Sequence, residues 1–340
     1  CNTGTTAGTG YRGRATKEIM SNMHVIFQYG KSWDKVLYLA ILAVFFLFYP
    51  GQNIYTQLSG QTRPTIRRLP FAVPTPAPYP TNTSGIYPGP EFTAEGIVVL
   101  DVDSGVYVYK RNEEELLAPA STTKILTAMV ALDAYEPDDV VTVKTVTNDG
   151  QTMGLVPGER ITVENLLYGT LIASGNDAAY ALAEHYPGGV GKFVEAMNEK
   201  AKALHLTKST FTNPVGYDDP GHKMTPMDLA RLAGVALSNK TIAKMVAIPQ
   251  ITISDVTHTY FHALRNVNQL LGKIPGVGGV KTGWTEEAGE NLVTLVERGG
   301  HHVILVVLHS KDRFGETSKL IDWVFGNYQW QVFEPGKEKR

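Results

Sequence analysis

Ala118-Pro119-Ala120-Ser121-Thr122-Thr123-Lys124-Ile125-Leu126-Thr127-Ala128-Met129-Val130-Ala131-Leu132 is the stretch from which the rest of the chain can be read. Its apolar residues Ile125, Leu126, Met129, Val130 and Leu132 recur at helical spacing, which places Ser121 in a first helical turn. Residues three apart share one helix face, so the Lys124 amine lies beside the Ser121 hydroxyl, and the positive end of the helix dipole disfavours a charged amine there. A serine hydroxyl is inert until a neighbour takes its proton, and a neutral lysine is one activator. The pair is not specific by itself. Ser32 and Lys35 show the same spacing, and a serine at a helix start is also an ordinary N-cap.

Upstream of this helix, residues 96–101 and 106–110 read as two strands around the Asp103, Ser104, Gly105 turn. Far downstream, residues 291–297 and 302–309 are β-branched runs joined through Arg298, Gly299 and Gly300, and a helical pattern follows over 316–325. Between these brackets the patterns are helical: 124–134, 163–173, 177–185, 190–204 and 225–237. The outer strands form one sheet only if they pair across the helical insert. The expected architecture is α+β, an antiparallel sheet with helices packed on it and a cleft where the insert meets the sheet.

The remaining composition narrows the class. With 43% hydrophobic residues, 19% charged residues and a net charge of -2 over 340 residues, the chain is globular and gives no electrostatic reason to expect nucleic acid as a partner. Cys1 is the only cysteine, so no disulfide within the chain and no thiolate metal cluster can form. Because Cys1 is not an initiator, Met20 and Met23 are the candidate starts. Residues 36–49 are an uninterrupted apolar run after Lys31 and Lys35 and before Pro50 and Gly51, expected to be a membrane anchor or a signal segment. From 50 to 93 the chain is rich in proline, with Pro74, Pro76, Pro78 and Pro80 alternating, and reads as an extended spacer. The expected organisation is thus an N-terminal segment (1–35), the apolar segment (36–49), a linker (50–93), a catalytic domain (94–328) and a tail (329–340).

Two further elements accompany the serine–lysine helix. Ser174, Gly175 and Asn176 fall where one helix ends and another begins, a junction able to present a hydroxyl and an amide into a cleft. Lys281, Thr282 and Gly283, preceded by Gly276 to Val280 and followed by Trp284, read as a short edge strand along which a substrate could lie, with Lys281 and Thr282 meeting its carboxylate. In this order the three elements resemble the motif set of the penicillin-recognising serine enzymes. The agreement extends over 118–132, 163–185, 193–201, 211–216, 227–230 and 275–292, and the chain is identified from about 94 to 326 as similar to the low-molecular-weight D-alanyl-D-alanine carboxypeptidases.

That resemblance implies a β-lactamase/transpeptidase-like fold with helices on both faces of the sheet, and a set of roles. Ser121 would be acylated, Lys124 would be its base, and Ser174 with Lys281 would relay a proton to the departing D-alanine. Asn176 would hold the substrate amide, Thr282 the terminal carboxylate, and the N–H groups of Ser121 and Trp284 the oxyanion, with Gly283 as the third residue of the strand motif. Peptidoglycan stem peptides would be the substrates and β-lactams the inhibitors. No cofactor or metal is implied. Many members carry a further β-domain and a C-terminal membrane helix, so the expectation here is N-terminal anchoring at the extracytoplasmic face, or secretion if the segment is cleaved. Where the family often supplies an arginine this chain reads Asn266, Val267, Asn268, leaving Arg265 as the substitute.

The rivals are weaker. A class A β-lactamase would need an aspartate at Gly175 and a deacylating glutamate, and neither is present. An endopeptidase acting on crosslinks breaks the same kind of bond and stands behind the carboxypeptidase reading. A non-catalytic wall-binding or penicillin-sensing domain conflicts with the retention of Ser121, Lys124 and Lys281. A metal hydrolase built on His258 and His262, or on His301 and His302, lacks the glutamate and helical setting such a site needs.

Overall fold

The computed structural model describes residues 32–48, 76–87 and 91–332, and the chain divides into two compact units, Cys1–Val73 and Pro74–Arg340. In the first, the described residues form one helix, α1 (Ser32–Phe48), of 17 residues. Its large apolar side chains from Val36 to Phe48 are exposed. No described helix is long and apolar enough to cross a membrane.

In the second unit the first and last strands of the domain do pair across the helical insert. β2 (Gly96–Asp101) and β3 (Tyr107–Arg111) join β8 (Val277–Thr285), β9 (Gly289–Arg298) and β10 (His301–Ser310) in a five-stranded antiparallel sheet of order β3-β2-β10-β9-β8. The join is β2 against β10, with Val98 opposite Val306. Both faces of the sheet are covered, which explains why β10 is apolar at every position from Val303 to Leu308 instead of at every second one. Val303, Leu305 and Val307 pack with Leu320, Ile321 and Val324 of α8 (Arg313–Asn327). Ile304, Val306 and Leu308 face the larger cluster formed with the insert.

The insert comprises a 3-10 turn (Ala120–Thr123), α2 (Lys124–Ala134), α3 (Val163–Leu171), α4 (Asn176–His185), α5 (Gly189–Ala203), α6 (Pro226–Ser238) and α7 (Lys240–Val246). Side-chain caps start several of them. Thr162 accepts from Asn165 N, Thr225 accepts from Asp228 N ahead of Pro226, and Asn239 accepts from Thr241 N and Ile242 N. Two small ribbons complete it, β4 (Val140–Thr142) with β5 (Arg160–Thr162), and β6 (Gln250–Ser254) with β7 (Phe261–Arg265).

The domain boundaries differ from the expected ones. Tyr79–Asn82, inside the stretch read as a spacer, form β1 and pair antiparallel with β11 (Tyr328–Gln331), which includes residues assigned to the tail. Alternating proline pre-sets extended backbone, the same conformation an edge strand uses, and a two-stranded ribbon tolerates the missing N–H of Pro80. Aromatic residues fix the ribbon to the sheet. The Trp330 indole donates to Asp101 Oδ2 at 2.6 Å and stacks on His301 at 4.4 Å, while the Trp323 indole donates to Ile86 O at 2.9 Å. Residues 50–75 and 88–90 of the expected spacer, and Tyr49 of the apolar segment, lie outside the described residues.

Candidate active site

Ala120, with a left-handed φ of 48°, turns the chain into the 3-10 turn and sets Ser121 at its rim. Helix α2 continues directly, so Lys124 lies one turn on and its Nζ donates to Ser121 Oγ at 2.7 Å. The same ammonium nitrogen donates to Val215 O at 2.9 Å. Lys124 is fully buried, and desolvation first, then the nearby Lys281 charge, hold its pKa well below that of an ordinary lysine, against a smaller opposing effect of Asp177. The sequence pairing of Ser121 and Lys124 is therefore a physical contact with an amine driven toward its neutral form.

Ser174 sits in the junction between α3 and α4 with φ 59°, and its hydroxyl accepts from Lys281 Nζ at 2.7 Å. Lys281 also donates to Thr282 O at 3.0 Å. Burial and then the Arg313 charge lower the Lys281 pKa to about 7, so near neutrality it exchanges a proton readily. Asn176 opens α4, and its Nδ2 donates to Asp149 O at 2.8 Å. Next to it, the buried Asp177 accepts from Met153 N, Gly154 N and Leu155 N, pinning the loop that carries Asp149, Gly150 and Gln151. This loop, the Val215–Tyr217 segment and β8 enclose a cleft of about 450 Å³, lined among others by Ser121, Ser174, Asn176, Thr282, Gly283 and Trp284.

β8 is the edge of the sheet, and its approach to the serine depends on Gly283. A Cβ there would stand 2.9 Å from Pro119 O and 3.1 Å from Ser121 N, so only glycine lets the strand pass this close to the serine backbone. Thr282 is buried whereas Trp284 is 60% exposed at the cleft mouth. The eight residues of the three motifs thus gather in one place, with Lys124 and Lys281 reaching it from behind the two serines.

The arginine is elsewhere. Arg265 ends β7, exposed, opposite Gln250, and does not line the cleft. The lining arginine is Arg313, the first residue of α8, whose NH1 donates to Gly283 O at 2.7 Å. Among the described residues its buried Nε has no hydrogen-bond partner, and burial lowers its pKa, offset in part by Glu290. Asn266 and Asn268 serve the loop instead, Asn266 donating to Val246 O and Ile248 O and Asn268 accepting from Leu270 N. A sequence signal for Arg313 exists. Asp312 caps a helix whose first residue is a cation, the wrong sign for that helix end unless an anion is to be met there. Of the histidines weighed for metal, His258 bonds Ser254 and His262 lies between Glu159 and Met153 O.

A histidine unused by the sequence reading holds the floor. His222 Nδ1 accepts from Thr212 N at 3.1 Å, which leaves Nε2 to donate to Thr123 Oγ1 at 2.9 Å. Desolvation lowers its pKa from the ordinary 6.5 to about 4, despite opposing attraction from Asp219. The unfolded chain therefore takes up the proton first on acidification. The neutral-histidine contribution is whole above about pH 6.5 and is lost as pH falls toward about 4, a difference on the order of 3 kcal/mol. Urea unfolding at pH 7 and pH 4.5 checks this: the acid loss is expected to shrink in His222→Gln, and an unchanged loss sinks the assignment.

Fold and site together define a serine peptidase with the sheet-edge cleft of the penicillin-recognising enzymes. The sequence profile of the D-alanyl-D-alanine carboxypeptidase family matches residues 83–312, and the chain belongs to that family. It is 36% identical over 246 residues to the D-alanyl-D-alanine carboxypeptidase DacF of Bacillus subtilis, a match that covers 69% of this chain and 63% of that relative. With DacB2 of Mycobacterium tuberculosis it shares 32% identity over 252 residues, covering 71% of this chain and 86% of the relative. The crystal structure of the Streptomyces K15 DD-transpeptidase superposes with a TM-score of 0.66 at 32% identity, covering 71% of this chain and all of that one.

Proposed function

We propose that the chain is a serine D-alanyl-D-alanine carboxypeptidase that removes the terminal D-alanine from peptidoglycan pentapeptide stems. The observation that carries this is the 2.7 Å contact between Ser121 Oγ and a fully buried Lys124 whose amine is held toward neutrality. Lys124 takes the hydroxyl proton as Ser121 Oγ bonds to the penultimate D-alanyl carbonyl carbon. The N–H groups of Ser121 and Trp284 receive the oxyanion. The C–N bond then breaks, and Ser174, bonded to Lys281, passes a proton to the leaving D-alanine amine. Thr282 and Lys281 hold the terminal carboxylate, with Arg313, which lines the cleft and donates to Gly283 O, placing a further positive charge beside it. Asn176 holds the substrate amide, and water releases the acyl-enzyme.

A second reading has specific support. A Pseudomonas aeruginosa relative, 32% identical over 248 residues, bears the name D-alanyl-D-alanine endopeptidase. Incubating the full chain with a defined pentapeptide and with a crosslinked muropeptide, then weighing the products, separates the two. Loss of one D-alanine from the pentapeptide, with the crosslinked dimer left intact, is expected. Cleavage of the dimer alone would replace the carboxypeptidase reading.

The apolar helix α1 is assigned to attachment at a membrane, with the peptidase domain on the extracytoplasmic side. Its 17 residues span about 25 Å at 1.5 Å per residue, short of a hydrocarbon core of about 30 Å, so local thinning or snorkelling flanks have to supply the remainder. Recovery of the full chain in the membrane fraction, released by detergent and not by salt, is expected; recovery in the soluble fraction without detergent would sink it.

A further inference from the structure

Asn176 does not wait in the cleft with its amide open. Its Nδ2 carries two hydrogens, and both are engaged: one on Asp149 O at 2.8 Å, the other on the Tyr217 hydroxyl oxygen at 3.3 Å. Tyr217 OH in turn donates to Asp149 O at 3.3 Å and meets Thr147 Oγ1 at 3.4 Å, so three groups from three chain segments close a ring. Asp149 O can only accept, which fixes the orientation of the Asn176 amide. The ring is tight on the loop side, where a Cβ on Gly150 (φ 71°) would stand 2.7 Å from Asn176 Nδ2. Its loose member is the phenol, whose bonds are the longest. Tyr217 and Asn176 both line the cleft.

We propose that Tyr217 is a specificity-determining residue whose hydroxyl occupies the substrate-carbonyl position on Asn176 in the empty site and is displaced only by ligands that bring an acylamide carbonyl there. This rests on the assignment of Asn176 to the substrate amide. Displacement is local. Asn213 holds the Tyr217 backbone at both ends, accepting from Tyr217 N at 3.0 Å and donating to Tyr217 O at 3.2 Å, so the ring can turn about its side-chain bonds while Val215 O stays on Lys124. The ring of Tyr180, 6.2 Å away on α4, gives the phenol a neighbouring surface. Ligands that carry this carbonyl, such as N-acylated, peptidyl D-alanyl-D-alanine units, therefore bind against the competition of the phenol. A free dipeptide or a β-lactam with an unsubstituted amine has nothing to exchange for the phenol.

Stopped-flow acylation of the full chain by benzylpenicillin, which carries the acylamide carbonyl, and by 6-aminopenicillanic acid, which lacks it, tests this. Removing one competing neutral hydrogen bond in Tyr217→Phe is expected to lower the half-saturating concentration of benzylpenicillin about threefold to tenfold with the limiting acylation rate unchanged, and to leave 6-aminopenicillanic acid unaffected. Tyr217→Leu is expected to act in the same direction, and thermal midpoints establish that both variants are folded. Equal shifts for the two ligands, or weaker binding of benzylpenicillin by both folded variants, would overturn the proposal. Asn176→Ala addresses the underlying reading separately: if that variant still prefers benzylpenicillin to the same degree, Asn176 is not the amide-holding residue, whatever Tyr217 does.

Discussion

Replacing Lys124 by alanine is expected to slow acylation of Ser121 by about 10³-fold or more while leaving a folded protein, because the change removes the proposed base and little of the core. Among the described residues the amine has two hydrogen-bond partners, Ser121 Oγ and Val215 O. Losing it leaves the serine hydroxyl without an acceptor poised to take its proton; Lys281 is bonded to Ser174 and Thr282 O instead. Burying an amine is itself costly, so its removal is not expected to lower the thermal midpoint by more than a few degrees. Labelling by a fluorescent penicillin, followed in time against a melting curve, measures both. A Lys124→Ala protein that acylates at a near-normal rate removes the lysine from its role, and one that fails to fold shows instead that the pair is structural.

The second large effect is the persistence of a β-lactam adduct. The opened lactam is an ester on Ser121, and fast release needs a carboxylate that aims water at it. Among the described residues the carboxylates near the cleft are poorly placed for that. Asp149 and Glu286 on the lining are exposed, and Asp177 spends its oxygens on backbone N–H groups of 153–155. D-alanine departs after ordinary acylation, whereas the opened lactam stays tethered and obstructs water. Intact-mass spectrometry is expected to show a lasting mass increase on the Ser121 peptide, absent in Ser121→Ala. Rapid multiple turnover of penicillin, or labelling that survives the substitution, would contradict it.

What the sequence disclosed follows the range of the forces involved. Ser121 and Lys124 are three residues apart on one helix, so their contact is local geometry and is readable. The β2–β10 pairing was legible because the strands bracketing the insert had nowhere else to go. Ser174 with Lys281 required the resemblance, since nothing in either motif alone says that residues more than a hundred positions apart share a hydrogen bond. Arg313 escaped because it joins the site only through the sheet, entering from the helix after the last strand. The β1–β11 ribbon escaped for a different reason: alternating proline dictates extended backbone but is silent on whether a partner strand lies alongside. His222 and Tyr217 carry no motif, and their importance lies in which backbone atoms the fold places beside them.

That ribbon has a consequence for how the domain can be combined with others. β1 and β11 lie side by side near β2 and β3, where Trp330 bonds Asp101 and Tyr328 OH donates to Val108 O. The cleft opens at β8, three strand places from β2, about 14 Å across the sheet at ordinary strand spacing. Entry and exit of the polypeptide are therefore neighbours, and both lie on the other side of the sheet from the cleft. That geometry suits a cassette: sequence appended before β1 or after β11, or a host protein into whose loop the unit is spliced, starts at neighbouring points on the side of the sheet away from the cleft.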